Sequence, residues 1–184
     1  MAQTVGNVTA GKPAIGGAIW RAAKGTTAPT DATTALAADY KGLGYCSEDG
    51  LVNSNAPSTS FIRAWGKDIV LTLLDEKNDN FQVTLIEALN SDVLKAVYGS
   101  ENVTGTLSTG MTVMADNSLP EEGVWVVDMI LKGDVVKRVV IPHGVLTELE
   151  DITYSDSDAV GYGVTITAMP DDTGKTHYEY IKQS

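Results

Sequence analysis

Short runs in which apolar and polar residues alternate at every second position, each closed by turn-forming residues, constrain this chain more than any other feature. Phe81, Val83 and Leu85 alternate with Gln82, Thr84 and Ile86, and Val164, Ile166 and Ala168 alternate with Thr165, Thr167 and Met169. A period of two places successive side chains on opposite faces of a strand. Ile69 to Leu74, Val124 to Leu131 and Val135 to Ile141 are more continuously apolar and richer in β-branched residues, the pattern of strands covered on both faces. Between these runs stand Lys77-Asn78-Asp79-Asn80, Lys132-Gly133-Asp134, Ser155-Asp156-Ser157-Asp158 and Asp171-Asp172-Thr173-Gly174, all turn chemistry. Hairpins at this spacing predict a mainly β chain, an antiparallel β-sandwich or barrel of two packed sheets.

One short α-helix is predicted to flank the sheets. Asn90 or Ser91 caps its start, Asp92 sits where the helix dipole favours an anion, and Val93, Leu94, Val97 and Tyr98 form one apolar stripe that Gly99 ends. At under three turns it needs the sheet to hold it. A length of 184 residues fits a single domain, residues 1–184, with no internal repeat.

The chemistry-bearing residues do not assemble into a catalytic pattern, and the reading is of a protein that is not an enzyme and carries no cofactor or metal. Asp172-Thr173-Gly174 matches the aspartic-protease tripeptide but lacks a second copy and an apolar strand entering it, so it is a hairpin turn. Glu148, Glu150, Asp151, Asp156 and Asp158 do not follow calcium-loop spacing. His143, between Pro142 and Gly144, is expected to cap a turn, and His177 to lie on a strand with Tyr178 and Tyr180. The lone Cys46 excludes an intramolecular disulfide and reads as a small buried filler. Trp20, Trp65 and Trp125 read as core or interface anchors, because no basic groove accompanies them. A net charge of -11 opposes tight capture of nucleic acid. No apolar run reaches the ~20 residues of a membrane helix, and the first residues lack a secretory signal, so synthesis in a cytoplasm without membrane insertion is expected.

Three segments fit a lone folded chain poorly. Thr4 to Gly17 and Ala22 to Ala35 are rich in Gly, Thr and Ala, and Glu48 to Gly66 contains Asn53 to Ser60, which is polar without periodicity. A loop that long between strands is either disordered or used, and Phe61, Ile62 and Trp65 at its end need cover from water.

The order of motifs carries a resemblance. Leu43-Gly44-Tyr45, Ser47-Glu48-Asp49-Gly50-Leu51, Ala64-Trp65-Gly66, Ile86-Glu87-Ala88-Leu89-Asn90 and Val93 to Gly99 are followed by Trp125 to Gly133, Arg138-Val139-Val140-Ile141-Pro142, Ala159-Val160-Gly161-Tyr162 and Thr176-His177-Tyr178-Glu179-Tyr180. Together they resemble the major tail protein, or tail tube protein, of long-tailed non-contractile bacteriophages, over nearly the whole chain after Ile15. The resemblance implies a structural virion protein, made in the host bacterial cytoplasm and placed in the tail. Copies of the chain would join in six-membered rings stacked into a tube, the conduit for genome ejection. The implied partners are itself, a tape-measure protein, tail-tip and tail-terminator proteins, and double-stranded DNA that passes without tight binding. It further implies an N-terminal arm at about 1–14 and an inter-ring loop at about 48–66, with Glu48, Asp49, Leu51, Asn53, Asn55, Phe61, Ile62 and Trp65 as the interface residues. A tube protein of a related secretion or contractile particle, and a β-sandwich ligand-binding module, are the alternatives. For the phage tail tube, an acidic lumen would repel phosphate and keep passing DNA from binding tightly.

Overall fold

Gly133 and Asp134 both adopt positive φ, 79° and 58°, and reverse the chain within the three residues that separate Leu131 from its partner Val135. This turn joins the two central strands. In chain order the computed structural model, which describes residues 4–183, contains β1 (Lys12–Pro13), β2 (Ile19–Ala23), β3 (Lys41–Gly42), β4 (Val52–Ser54), β5 (Pro57–Arg63), β6 (Ile69–Lys77) and β7 (Asn80–Leu85). There follow α1 (Ser91–Tyr98), β8 (Val103–Thr106), β9 (Gly110–Val113), β10 (Gly123–Leu131), β11 (Val135–Leu149), β12 (Tyr162–Ala168) and β13 (Tyr178–Gln183). The main sheet runs β3-β2-β10-β11-β12-β7-β4, with β1 beside β10 and β13 beside β11, and every pairing is antiparallel. β5–β6 and β8–β9 are separate two-stranded ribbons.

β11 turns one sheet into two layers. Its residues 135–140 pair with β13, and from Gly144 onward the same edge pairs with β12. Pro142 lies at the exchange, where its missing N–H deprives neither neighbour of a bond. On the opposite edge Trp125 pairs with Ile141 while Gly123 pairs with Gly144, so β11 carries one extra residue and bends there. His143 is therefore inside a continuous strand rather than capping a turn, its carbonyl accepting from the Met169 N–H at 2.8 Å. Gly144 is required by close approach, since a Cβ there would lie 2.5 Å from Cδ1 of Trp125.

The bend brings the inner faces of the two halves together. Ile19, Trp125 and Val127 from one half meet Phe81, Val83, Leu85, Val164 and Ile166 from the other in a single buried cluster. Helix α1 closes it with Val93, Leu94, Ala96 and Val97, while Tyr98 meets the Tyr162 ring edge-on. Asn90 is its cap, accepting from the Asp92 N–H at 2.9 Å, and Gly99 ends it at φ 95°.

The outer face of β2–β10–β11 is covered too, as the apolar runs 124–131 and 135–141 predict for their central residues. Val124, Val126 and Val140 pack there with Ala22, Tyr40, Ala28 and Leu36. The Gly, Thr and Ala-rich stretch 22–35 is thus a cover for the chain's own sheet, its small side chains letting coil lie close. Arg138 fixes that cover. It forms a bidentate pair with its cross-strand neighbour Asp128, at 2.7 and 3.0 Å, and donates from Nη1 to the carbonyls of Thr34, at 2.8 Å, and Asp31, at 3.2 Å.

Two expected hairpin turns are not hairpins. β12 and β13 pair with β11 and not with each other, so Asp171-Asp172-Thr173-Gly174 is a turn closed on itself, the Asp171 carboxylate accepting from the backbone of Thr173 and Lys175. Likewise Asp79 lies between β6 of the separate ribbon and β7 of the main sheet, which do not pair with each other. Because Arg138 and Asp128 are both nearly sheltered from water, removing one partner leaves a buried charge uncompensated. Arg138→Met is expected to cost about 3–5 kcal/mol, and Arg138→Met with Asp128→Leu to recover at least half of that, as read by denaturant unfolding.

Candidate assembly surface

β5 and β6 leave the main sheet as a free arm. The seven residues of β5 extend about 20 Å at ~3.3 Å each, and every residue of both strands is exposed. Pairing holds the arm together rather than packing: Phe61 faces Thr72, Ile62 faces Leu71 and Ser60 faces Leu73. The register skips Asp75 and Val70, each an extra residue on β6 that adds twist. Ser60 donates to the Asp75 carboxylate at 2.8 Å beside the first bulge.

The tip is a tight reversal. Ala64 N–H donates to the Asp68 carbonyl at 2.8 Å, Lys67 N–H to the Ala64 carbonyl at 2.9 Å, and Gly66 and Lys67 take φ of 116° and 74°. Arg63 ties across the turn to the Lys67 carbonyl and lies over the Phe61 ring. Trp65 stands at the apex with full exposure, 105% of its reference area.

Two sequence expectations change here. Ile69 to Leu74 is not covered on either face, and Ile69, Val70, Leu71, Leu73 and Leu74 join Phe61, Ile62 and Trp65 as exposed apolar residues. The apolar run does mark a strand, but none of the described residues covers it. The polar stretch 53–60 is largely strand, β4 and the start of β5, and lacks alternation because neither face of its Ser and Thr residues is buried.

The eight expected interface residues fall into three places. Phe61, Ile62 and Trp65 lie on the arm. Glu48 and Leu51 line a cavity beside the residue 11–18 segment, with Asp49 in the intervening turn. Asn53 and Asn55 lie at the arm's root, where Asn53 has an internal role: its Nδ2 donates to the Asp79 carboxylate at 2.8 Å and the Asn80 carbonyl at 3.2 Å. Of the expected N-terminal arm, residues 1–3 lie outside the described residues. From Thr9 onward it is tied to β10, with Lys132 N–H donating to Thr9 Oγ1 at 2.8 Å and Lys12 paired with Ile130.

Asp79 was legible only as a turn residue, yet it is 2% exposed and joins four segments. Its carboxylate accepts from Asn53 of β4, from Thr176 at 2.6 Å and from His177, while its carbonyl accepts from Ala168 at the end of β12. Burial pushes the Asp79 carboxyl up, but the hydrogen bonds from Thr176, Asn53 and His177 and the nearness of His177 outweigh it, and the group is held below the usual carboxylate range. Cys46 is half-buried against the core. Burial, then the Glu87 charge, pushes its thiol up to about 11, which leaves almost no thiolate for chemistry at neutral pH. Among the described residues, no group of three or more His, Cys, Asp or Glu side chains converges on a point that could hold a metal.

A family model described as phage tail tube protein matches residues 6–184. No curated protein matches the chain.

The Asp79 joint ties the root of the arm to β4, to the end of β12 and to residues 176–177. A carboxyl whose native pKa is depressed stabilises the fold fully above its unfolded value near 3.9, and that contribution disappears as pH falls through the lower native value. Asp79→Asn is expected to cost about 2 kcal/mol at pH 7. The cost should vanish progressively below about pH 4, so unfolding curves of the two proteins converge in acid; curves separated equally at both pH values would contradict the role given to the charge.

Proposed function

The chain belongs to the phage tail tube protein family, and on that premise we propose that its copies close into six-membered rings stacked as the tube of a long, non-contractile tail. The protein is a structural component of the virion tail that assembles with itself into a tube. The family is architectural, and the protein's work is done by its surfaces.

The observation that carries the proposal is the arm. Eight large apolar side chains on one two-stranded ribbon are exposed, seven of them by about half and Trp65 fully, and apolar area buried on a partner is worth about 25 cal/mol per Å². A surface of this kind is an interface waiting for its other half. On this reading the arm reaches the next ring, and Glu48, Asp49, Leu51, Asn53, Asn55, Phe61, Ile62 and Trp65 lie in or beside the inter-ring contact, with Asn53 supporting it from within. A side-to-side contact that joins unlike surfaces gives a ring when the rotation closes, and the ring's two unlike faces then stack without limit. Six copies enclose a channel for double-stranded DNA. Tape-measure, tail-tip and tail-terminator proteins would set its length and ends, and the chain would be made in the host bacterial cytoplasm before joining the virion.

Charge fits the conduit. An excess of 24 Asp and Glu over 13 Lys and Arg disfavours phosphate contact, so a genome can slide through without being held. The structure of the assembled tube is expected to show a predominantly acidic inner wall; a mainly basic one would refute the conduit as described.

Replacing Ser58 to Glu76 by a short turn keeps Asn53 and Asp79 in place, and should leave monomer unfolding unchanged while abolishing tubes. Trp65→Ala should weaken stacking by about 2 kcal/mol or more, the usual share of an anchoring aromatic. Sedimentation of tubes beside thermal unfolding of the monomer decides between outcomes. Equal tube yield from the armless protein would end the proposal.

A further inference from the structure

We infer that the cavity between residues 11–18 and residues 44–51 is the receptor for the arm tip of a neighbouring copy of this chain. This rests on the arm being an inter-subunit element and adds where it lands. Asp128 builds the first wall: its carbonyl accepts from Ala14 N–H at 3.0 Å and its N–H donates to the Ala18 carbonyl at 2.8 Å. The chain therefore leaves and rejoins β10 at one residue, and the excursion between is pushed outward, with Gly16 and Gly17 at φ of 96° and 137° and Ile15 97% exposed. The second wall is held by Glu87, which accepts from Tyr45 N–H at 3.0 Å, and by Ser47 N–H donating to the Thr84 carbonyl at 2.9 Å.

Between these walls the cavity backs onto the inner cluster. Ile19, Val83 and Val127 stand behind the cavity as buried core, with half-buried Met129 beside them, so its back is apolar rather than polar. Its volume is about 670 Å³, inside the ~300–1,000 Å³ range of sites that enclose a compact ligand. Flat aromatic groups suit such a site, and an indole supplies up to ~250 Å² of buried area.

Charge selects the occupant. Two copies of a chain at -11 repel each other, so a self-contact needs local opposites. At the arm tip Arg63 and Lys67 outnumber Asp68; at the cavity Glu48 and Glu87 outnumber Lys12, and Asp49 adjoins them. Trp65 sits among the tip cations, with full exposure and no contact in its own chain to lose. The pairing of a basic aromatic tip with an acidic apolar cavity joins unlike surfaces, which is the condition for open-ended stacking.

Two photo-reactive forms of the full-length chain, doped into tubes of unmodified protein, test this. With p-benzoylphenylalanine in place of Trp65, irradiation should give dimer-mass products whose linked peptides fall within 11–18 or 44–51. With the same group in place of Ile15, links should return to 61–69. Tip links to a different surface of a neighbour would overturn the receptor assignment and leave the arm's assembly role standing; no intermolecular link from either position would overturn both. In addition, Glu48→Lys should lower tube yield about tenfold, with unchanged monomer unfolding, and Lys67→Glu in the same chain should restore it. Wild-type yield from Glu48→Lys would count against the receptor even if tip links were found.

Discussion

The rest of the molecule depends on one strand exchanging partners along one of its edges. β11 keeps β10 on one side from Val135 to Gly144, but on the other it passes from β13 to β12 across Ile141-Pro142-His143. Backbone donors and acceptors must be satisfied wherever they are buried, so a strand can change neighbours only where a missing donor and an extra residue make the gap tolerable. Pro142 supplies the first and the bulge opposite Val124 the second. Without that corner β12, β7 and β4 would continue in the plane of β10. Phe81, Val83, Val164 and Ile166 would have no partners, and the arm would spring from a different place.

From the corner the arm's position follows in two steps. β12 carries β7 alongside it, and β7 begins at Asn80, directly after the joint at Asp79. That joint concentrates polar groups where an apolar plug would have been simpler. A buried carboxylate is costly unless several donors replace its water, and three side chains do so here. The geometry explains the choice: directional bonds from β4, from Thr176 and from His177 fix an angle, whereas packing alone fixes only a distance. A ribbon about 20 Å long magnifies any angular slack at its root, so a stiff base is what holds its tip in one place.

The fold was largely legible because alternation and turn residues are local signals. Phe81–Leu85 and Val164–Ala168 are strands with the faces that their period of two assigns, and the Asn90-to-Gly99 helix has its cap and stop where composition puts them. What failed was any inference that needed to know what lies on the other side. Ile69 to Leu74 and Val135 to Ile141 read alike, yet one is bare and the other is covered by the chain's own residues 22–36, because periodicity reports that a face wants cover and not who supplies it. Ala22 to Ala35 was illegible for the converse reason: small residues cover a sheet by backbone proximity, with no apolar stripe to announce it. Of the eight expected interface residues, Phe61, Ile62 and Trp65 could be read as apolar groups in polar surroundings. Asp79 could not, since a buried aspartate and a turn aspartate have the same neighbours in sequence.

An exposed apolar ribbon is also a hazard, and the arm's details limit it. Both edges of β5–β6 are open to strand addition, the usual route to unwanted aggregation. Two bulges on β6 twist the ribbon away from the flat form that stacks indiscriminately. Arg63, Lys67, Asp68, Asp75 and Glu76 place charge along it, and a chain at -11 keeps free copies apart. These features suppress edge-to-edge pairing while leaving a specific, side-chain-led contact open. A tube needs that balance, because its subunits must stay dispersed until a growing end offers the complementary face. Apolar area strong enough to overcome charge anywhere would give fibres without a lumen; here eight large exposed apolar side chains are gathered on one ribbon rooted beside the Asp79 joint.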